Sequence, residues 1–198
     1  MNLYIRDMKV GLFFGSFNPI HVGHLILANY MIEETDLDQV WFVVSPQSPH
    51  KNKSSLLDEY QRLHLVELAI EDNPNFRTSN IEFSMSKPSY TVDTLSVLHD
   101  KFPKYNFTLI MGGDNLKTFH KWKNHETILA YHHIYCYNRP EATEGELFTH
   151  EKVNLFDAPQ MKISASHIRK QIRKGQSVKY IVPDNCLDYL DSIGAYKS

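Results

Sequence analysis

Apolar residues run along the chain in two alternating rhythms. Lys9 to Phe14 (KVGLFF) and Gln39 to Ser45 (QVWFVVS) are short, nearly unbroken apolar runs rich in β-branched and aromatic residues. That is the pattern of strands buried on both faces. Between them, from Gly23, the pattern becomes helical: Leu25, Ile26, Ala28 and Ile32 recur at spacings of three and four until the chain turns polar near Thr35 to Asp38. The same alternation continues downstream. The spacing predicts a helix over Leu57 to Glu71 stopped by Pro74, an extended stretch over Phe76 to Phe83, a helix over Tyr90 to Phe102 and a strand over Asn106 to Met111. Two short helices follow (Asn115 to Phe119, His125 to Ala130), then a strand at His133 to Tyr137 and a polar, acidic loop from Asn138 to Glu151. Val153 to Phe156 reads as a sixth strand. Ser166 to Lys174 reads as a helix capped by Ser166 and ended by Gly175, and Pro183 to Ile193 as a last helix opened by its proline.

Strands alternating with helical spacers predict right-handed crossovers and an α/β fold, a doubly wound, mostly parallel sheet with helices on both faces. Residues 1–198 read as one domain, the stretch from about 160 to 198 forming a helical extension packed on it. No internal repeat or low-complexity tract interrupts the pattern.

Composition narrows the function classes. The 198 residues are 42% hydrophobic and 22% charged, a globular composition that needs no cross-links to bury a core. Twenty-one Lys and Arg against 23 Asp and Glu leave a net charge of −2, which argues against a nucleic-acid coat protein or an electrostatic membrane binder. The start, MNLYIRDMKV, lacks the apolar core of a signal peptide, and runs such as LILANYMI fall well short of the ~20 residues that span a bilayer. Cys136 and Cys186 are not in a CxxC pair and read as reduced thiols, so a cytoplasmic location is expected. A homo-oligomer is left open. The 11 His are the unusual feature, and their number alone does not separate metal, pH-switch and phosphate chemistry.

In an open parallel sheet the ligand sits beyond the carboxyl ends of the strands, so the turn after the first strand is where chemistry is expected. It reads Gly15-Ser16-Phe17-Asn18-Pro19-Ile20-His21-Val22-Gly23-His24. It is neither GxGxxG nor a P-loop, which excludes the dinucleotide fingerprint and the Walker ATPases. Gly15 lets backbone N–H groups approach a phosphate, Gly23 leaves room for a ligand, and His21 and His24 stand three apart at a helix entrance whose partial charge favours anions. The set fits a polyphosphate site. Two blander readings stand beside it: histidines that only cap the helix, or half of a zinc site. The zinc reading lacks further ligands, because His132, His133 and Cys136 belong to another strand. Near the other end, Ile163 to Lys170 reads ISASHIRK. There a hydroxyl, free helix N–H groups and the Arg169 guanidinium converge on one anion, unless the segment is simply a capped amphipathic helix.

Taken together, GSFNPIHVGH and ISASHIR resemble the H-x-G-H and I-S-x-S-x-I-R motifs of the adenylyltransferase branch of the nucleotidyltransferases, a Rossmann-like superfamily. The resemblance implies that His21, His24 and Arg169 hold and neutralise the phosphates of ATP, with Gly15, Ser16, Phe17, Gly23, Ser164 and Ser166 lining the ATP site. The segments between the motifs are similar to those of the bacterial nicotinate-nucleotide adenylyltransferases. By that likeness, Lys51 in SPHKNKS reaches the transferred phosphate, and Arg139 of the Arg139-Pro140 pair lies near ATP. It also implies that the backbone of Tyr90 and Thr91 meets a nicotinate carboxylate, that Gly112 and Asp114 hold a ribose, and that Trp122 stacks on the pyridine ring. The implied reaction moves AMP from ATP to nicotinate mononucleotide with release of pyrophosphate, Mg2+ riding on the nucleotide and no protein metal site. The stretch Gly15-Ser16-Phe17-Asn18-Pro19 departs from the bacterial G-T-F-D-P and keeps nicotinamide mononucleotide open as the acceptor. Transfer to pantetheine phosphate, a non-catalytic nucleotide sensor and an RNA-binding module are weaker alternatives. The charge balance disfavours the last.

Overall fold

The computed structural model describes residues 7–46, 56–137, 145–159 and 161–197. The strands β1 (Met8–Gly15), β2 (Gln39–Val44), β3 (Phe76–Ser79), β4 (Tyr105–Gly112), β5 (Ile134–Tyr137) and β6 (Val153–Phe156) form a six-stranded sheet in the order β3-β2-β1-β4-β5-β6. Every neighbouring pair is parallel. The crossovers carry α1 (Val22–Glu34), α2 (Glu59–Ile70), α3 (Thr91–Lys101), α4 (Gly113–Thr118) and α5 (His125–Tyr131), and α6 (Ala165–Arg173) and α7 (Asp184–Ser192) follow the last strand.

The period-two alternation of the strands builds two apolar layers. Val40, Phe42 and Val44 of β2 face one layer with Phe13 and Ile110, while Trp41 and Val43 face the other with Val10, Leu12, Leu109 and Met111. The first layer is filled by α1, α2 and the C-terminal helices, through Met31, Leu65, Ile168, Cys186 and Leu190. The second is filled by α3, α4 and α5, through Leu95, Leu98, Leu116 and Ile128. The chain leaves β1 toward β2 and β3, then returns on the other side of β1 at β4. Loops from β1 and β4 therefore diverge at the carboxyl edge of the sheet, the place where such folds bind ligands.

Three expectations need correction. The stretch from Phe76 stays extended only to Ser79, and Ile81–Ser84 forms a 3-10 turn that buries Glu82. Ser164, not Ser166, caps α6: its hydroxyl accepts the His167 N–H at 3.2 Å, and Ser166 lies inside the first turn. Pro183 is the cap of α7, one position earlier than a first helical residue. Among the described residues, no helix is long and apolar enough to cross a membrane.

Candidate active site

The β1–α1 loop is held in shape from below. Phe17 takes a left-handed backbone (φ 42°) and turns its ring back under Gly15, where a Cβ would come within 2.8 Å of it. Glycine at 15 is thus required by the ring beneath it. Arg62, fully buried in the second turn of α2, donates to the carbonyls of Ser16 (2.7 Å), Ser45 (2.8 Å), Pro46 (3.0 Å) and Leu57 (2.9 Å). One guanidinium thus ties the ends of β1 and β2 to the entry of α2. Asn18 is a second tie: its carbonyl oxygen accepts Arg169 at 2.7 Å, and its side-chain oxygen accepts the Leu57 N–H at 3.2 Å and the Tyr196 hydroxyl.

His21 caps α1 and His24 is its third residue, so the two imidazoles stack with centroids 3.7 Å apart. The His21 N–H donates to Nδ1 of His24 at 3.3 Å, which leaves Nε2 of His24 to carry the ring proton. The His24 N–H sits on the His21 ring as in a capping box, but its well-directed bond runs to the His21 carbonyl at 2.9 Å. Nδ1 of His21 is accordingly buried with no hydrogen-bond partner. Gly23 permits this packing, since a Cβ there would meet His21 Nδ1 at 3.0 Å. Burial lowers the His21 pKa to about 4, so the ring is neutral at pH 7.

These residues line one wall of a cleft of about 590 Å³. Gly15, Ser16, Phe17, His21, Gly23 and His24 come from the β1–α1 loop, and Ser164, Ser166 and Arg169 come from α6 opposite. Arg169 donates to Asn18 through Nη1 and to the Ser166 hydroxyl through Nη2 (3.2 Å), while its Nε–H is buried and unpartnered. The walls thus present a permanent positive charge, two orphaned buried nitrogens and two helix entrances. Among the described residues, the lining holds no Asp or Glu. Among the described residues, no group of three or more His, Cys, Asp or Glu converges as a metal site would require. The arrangement can accept an anion with several oxygens.

The other described sequence candidates lie outside this lining. Gly112 ends β4 level with Gly15, next to the ring of Tyr137, which does line the cleft. Asp114 is exposed in the first turn of α4. Tyr90 caps α3, and Thr91 is its first residue. Lys123 draws the Trp122 segment to that helix: its ammonium lies 4.8 Å from the Tyr90 ring centre and 2.8 Å from the Asp93 carboxylate. Trp122 is half-buried against Phe119, with centroids 5.1 Å apart. Lys51 and Arg139 fall outside the described residues.

Two supports escaped the sequence reading. Arg62 shares the buried face of α2 with Leu65, Val66 and Ile70, and a charge at apolar spacing was its signal. Glu82, buried behind α3, accepts the hydroxyls of Ser89 and Thr94 at 2.8 Å each, and fixes the turn before Tyr90. Its signal was a carboxylate between Ile81 and Phe83.

The cytidylyltransferase-like family profile matches residues 12–171, a span that includes both walls of the cleft. A protein of Flavobacterium psychrophilum described as "Probable nicotinate-nucleotide adenylyltransferase" is 50% identical over 192 residues, covering 96% of this chain and 100% of its own. One of Cytophaga hutchinsonii with the same description is 55% identical over 175 residues, 88% of this chain and 91% of its own. Among solved structures, a Plasmodium falciparum nicotinic acid mononucleotide adenylyltransferase complexed with NaAD superposes with a TM-score of 0.81, covering 96% of this chain and 98% of that one. At 20% identity that likeness speaks to the fold alone. The sequence matches carry more, and with them the chain belongs to the cytidylyltransferase-like family and, within it, to the bacterial nicotinate-nucleotide adenylyltransferases.

Proposed function

We propose that the chain transfers the adenylyl group of ATP to nicotinate mononucleotide, yielding the deamido dinucleotide and pyrophosphate. The observation that carries this reading is the cleft itself. It brings together donors from two segments more than a hundred residues apart, none of its described lining residues is a carboxylate, and the buried Arg169 Nε–H awaits an acceptor. The names of the relatives supply the substrates.

The acceptor's 5′-phosphate is already an anion at pH 7, so no general base is called for. Its oxygen attacks the α-phosphorus in line, and the bond to the β-phosphate oxygen breaks as pyrophosphate leaves. Arg169 offsets charge with a cation that never deprotonates. His24 donates through Nε2–H without needing a positive ring, and neutral His21 offers one N–H. Ser164, Ser166 and the open N–H groups of α6 complete the triphosphate wall. Gly15, Ser16, Phe17 and Gly23 shape the opposite one. Lys51 and Arg139 add cations to the transferred phosphate and to ATP on the strength of their motifs. Mg2+ enters as part of the MgATP substrate, held by phosphate oxygens and water, and the described lining residues include no carboxylate that would compete for it.

On the acceptor side, Thr91 begins α3, so its N–H is one of the open donors that suit a carboxylate. Asp114 can take a ribose diol, and the indole of Trp122 can stack on a pyridine ring. Two free, buried thiols are in keeping with a reducing, cytoplasmic setting.

The test is pyrophosphate release with MgATP and, in turn, nicotinate mononucleotide, nicotinamide mononucleotide and phosphopantetheine. Release is expected to be fastest with the first. Equal rates with the first two would remove the carboxylate reading of Tyr90 and Thr91, and no release with any would leave a nucleotide sensor. His24→Ala should lower turnover by on the order of 10²-fold, the scale of one lost transition-state donor. A near-wild-type rate would overturn the role of His24.

A further inference from the structure

The C-terminal end of the chain reaches the donor side of the cleft at two points. The first N–H of α1, that of Val22, donates to the carbonyl of Ile181 at 2.9 Å. Beyond α7, Tyr196 is buried and directs its hydroxyl onto the side-chain oxygen of Asn18. That same oxygen accepts the Leu57 N–H, so the Asn18 side chain is fixed from both the tail and the entry of α2. Asn18 is itself buried, and its main-chain carbonyl is the acceptor that holds Nη1 of Arg169. Three elements distant in sequence meet on this one residue, which lies between Phe17 and His21 in the phosphate loop. With Nη1 tied to Asn18 and Nη2 to Ser166, the orientation of the remaining unpartnered Nε–H follows from where Asn18 is held.

From this we propose that Tyr196 is a positioning residue for the ATP half of the reaction. Through Asn18 it sets the Arg169 guanidinium, so the last turn of the chain is part of the donor site. The proposal rests on the adenylyl-transfer reading of the cleft. It also accounts for Asn18 without invoking acceptor choice. Tyr196, Leu57 and Arg169, to which Asn18 is hydrogen-bonded, are not candidates for the pyridine nucleotide.

The test uses the full chain carrying Tyr196→Phe, which deletes only the hydroxyl. The expected result is a KM for ATP, and a Kd for the α,β-methylene analogue of ATP, raised about three- to tenfold, the size of one lost hydrogen bond. The KM for nicotinate mononucleotide should stay within twofold. Asn18→Ala should weaken ATP binding further, and Asn18→Asp, which still accepts both bonds, should recover most of that loss. A second readout does not depend on turnover. Coupling is reciprocal, so ATP should slow the labelling of Cys186, on α7, by a disulfide reagent in the wild type and do so much less in Tyr196→Phe. Unchanged ATP constants with unchanged protection of Cys186 would overturn the proposal. So would equal weakening of both substrates, which would make the tail a merely structural prop. If the wild type releases no pyrophosphate, the adenylyl-transfer reading fails. Loss of ATP protection at Cys186 in Tyr196→Phe would still stand as evidence of the coupling.

Discussion

At the scale of single residues, His21 sits where burial and function pull against each other. An exposed imidazole would be partly charged near neutrality and would attract phosphate, yet this one is 6% exposed with a pKa of about 4. Under the proposed reading of the cleft, its contribution to binding would therefore be directional, one N–H in a fixed place, while Arg169 would carry the charge. The depressed pKa also leaves a mark on stability. Between pH 6.5 and 4 the unfolded chain binds a proton at this position and the folded chain does not, so stability from this group falls as pH drops through that window. Integrated from pH 7 to 5, the loss is about 2 kcal/mol. Urea unfolding of the wild type and of His21→Asn at the two pH values should show the wild type losing that much more than the variant. His132, whose pKa burial also lowers, is common to both proteins and cancels in the difference. Parallel pH dependences would mean that His21 titrates normally.

At the scale of elements, α2 has two jobs, and only one of them was written in its apolar spacing. Leu65, Val66 and Ile70 pack the helix on the sheet, and Arg62 uses the same face to gather the carbonyls of Ser16, Ser45, Pro46 and Leu57. Replacing it by Met, similar in length and without donors, strands those carbonyls in a buried place. A loss of about 3 kcal/mol is expected, which lowers the unfolding midpoint by roughly 6–12 °C. Arg62→Lys should recover part of this, and a Met variant melting within about 2 °C of the wild type would show that the carbonyls find other donors. The same helix shows what sequence can and cannot disclose. Strands β1, β2 and β4 and helices α1 to α3 were legible because their apolar periods are set by burial, and the β1–α1 loop stood out through its two glycines and paired histidines. The acceptors that Arg62 meets come from the β1–α1 loop and from both ends of the β2–α2 connection, and no local period encodes them. Beyond Ser79 the apolar Ile81 and Phe83 imitate an alternating strand. The turn wins because it lets Glu82 reach the hydroxyls of Ser89 and Thr94, partners invisible until the chain folds.

At the scale of the whole molecule, the sheet divides two apolar layers that carry one buried cysteine each, so the thiols report on the layers separately. Cys136 lies on β5 between Met111 of β4 and Leu155 of β6, and faces the layer of α3 to α5. Cys186 lies on α7, its thiol 3.2 Å from the Leu65 carbonyl, in the layer of α1 and α2. Burial raises both pKa values to about 12, so in the folded state almost no thiolate is present at pH 8 and labelling must pass through an opening. The openings differ in extent. Exposing Cys136 means pulling a strand from between two neighbours, which is close to global unfolding. Exposing Cys186 requires only that α7 lift from α2, breaking the Asn185 bonds to Leu68 and Glu71 and leaving the sheet intact. In native buffer Cys186 should therefore react at least about tenfold faster than Cys136, a gap of 1.4 kcal/mol or more in opening free energy, as read by mass spectrometry of the labelled peptides. Identical rates would mean that the layers open only together. In that case the tail over the β1–α1 loop would be as permanent as β1 itself.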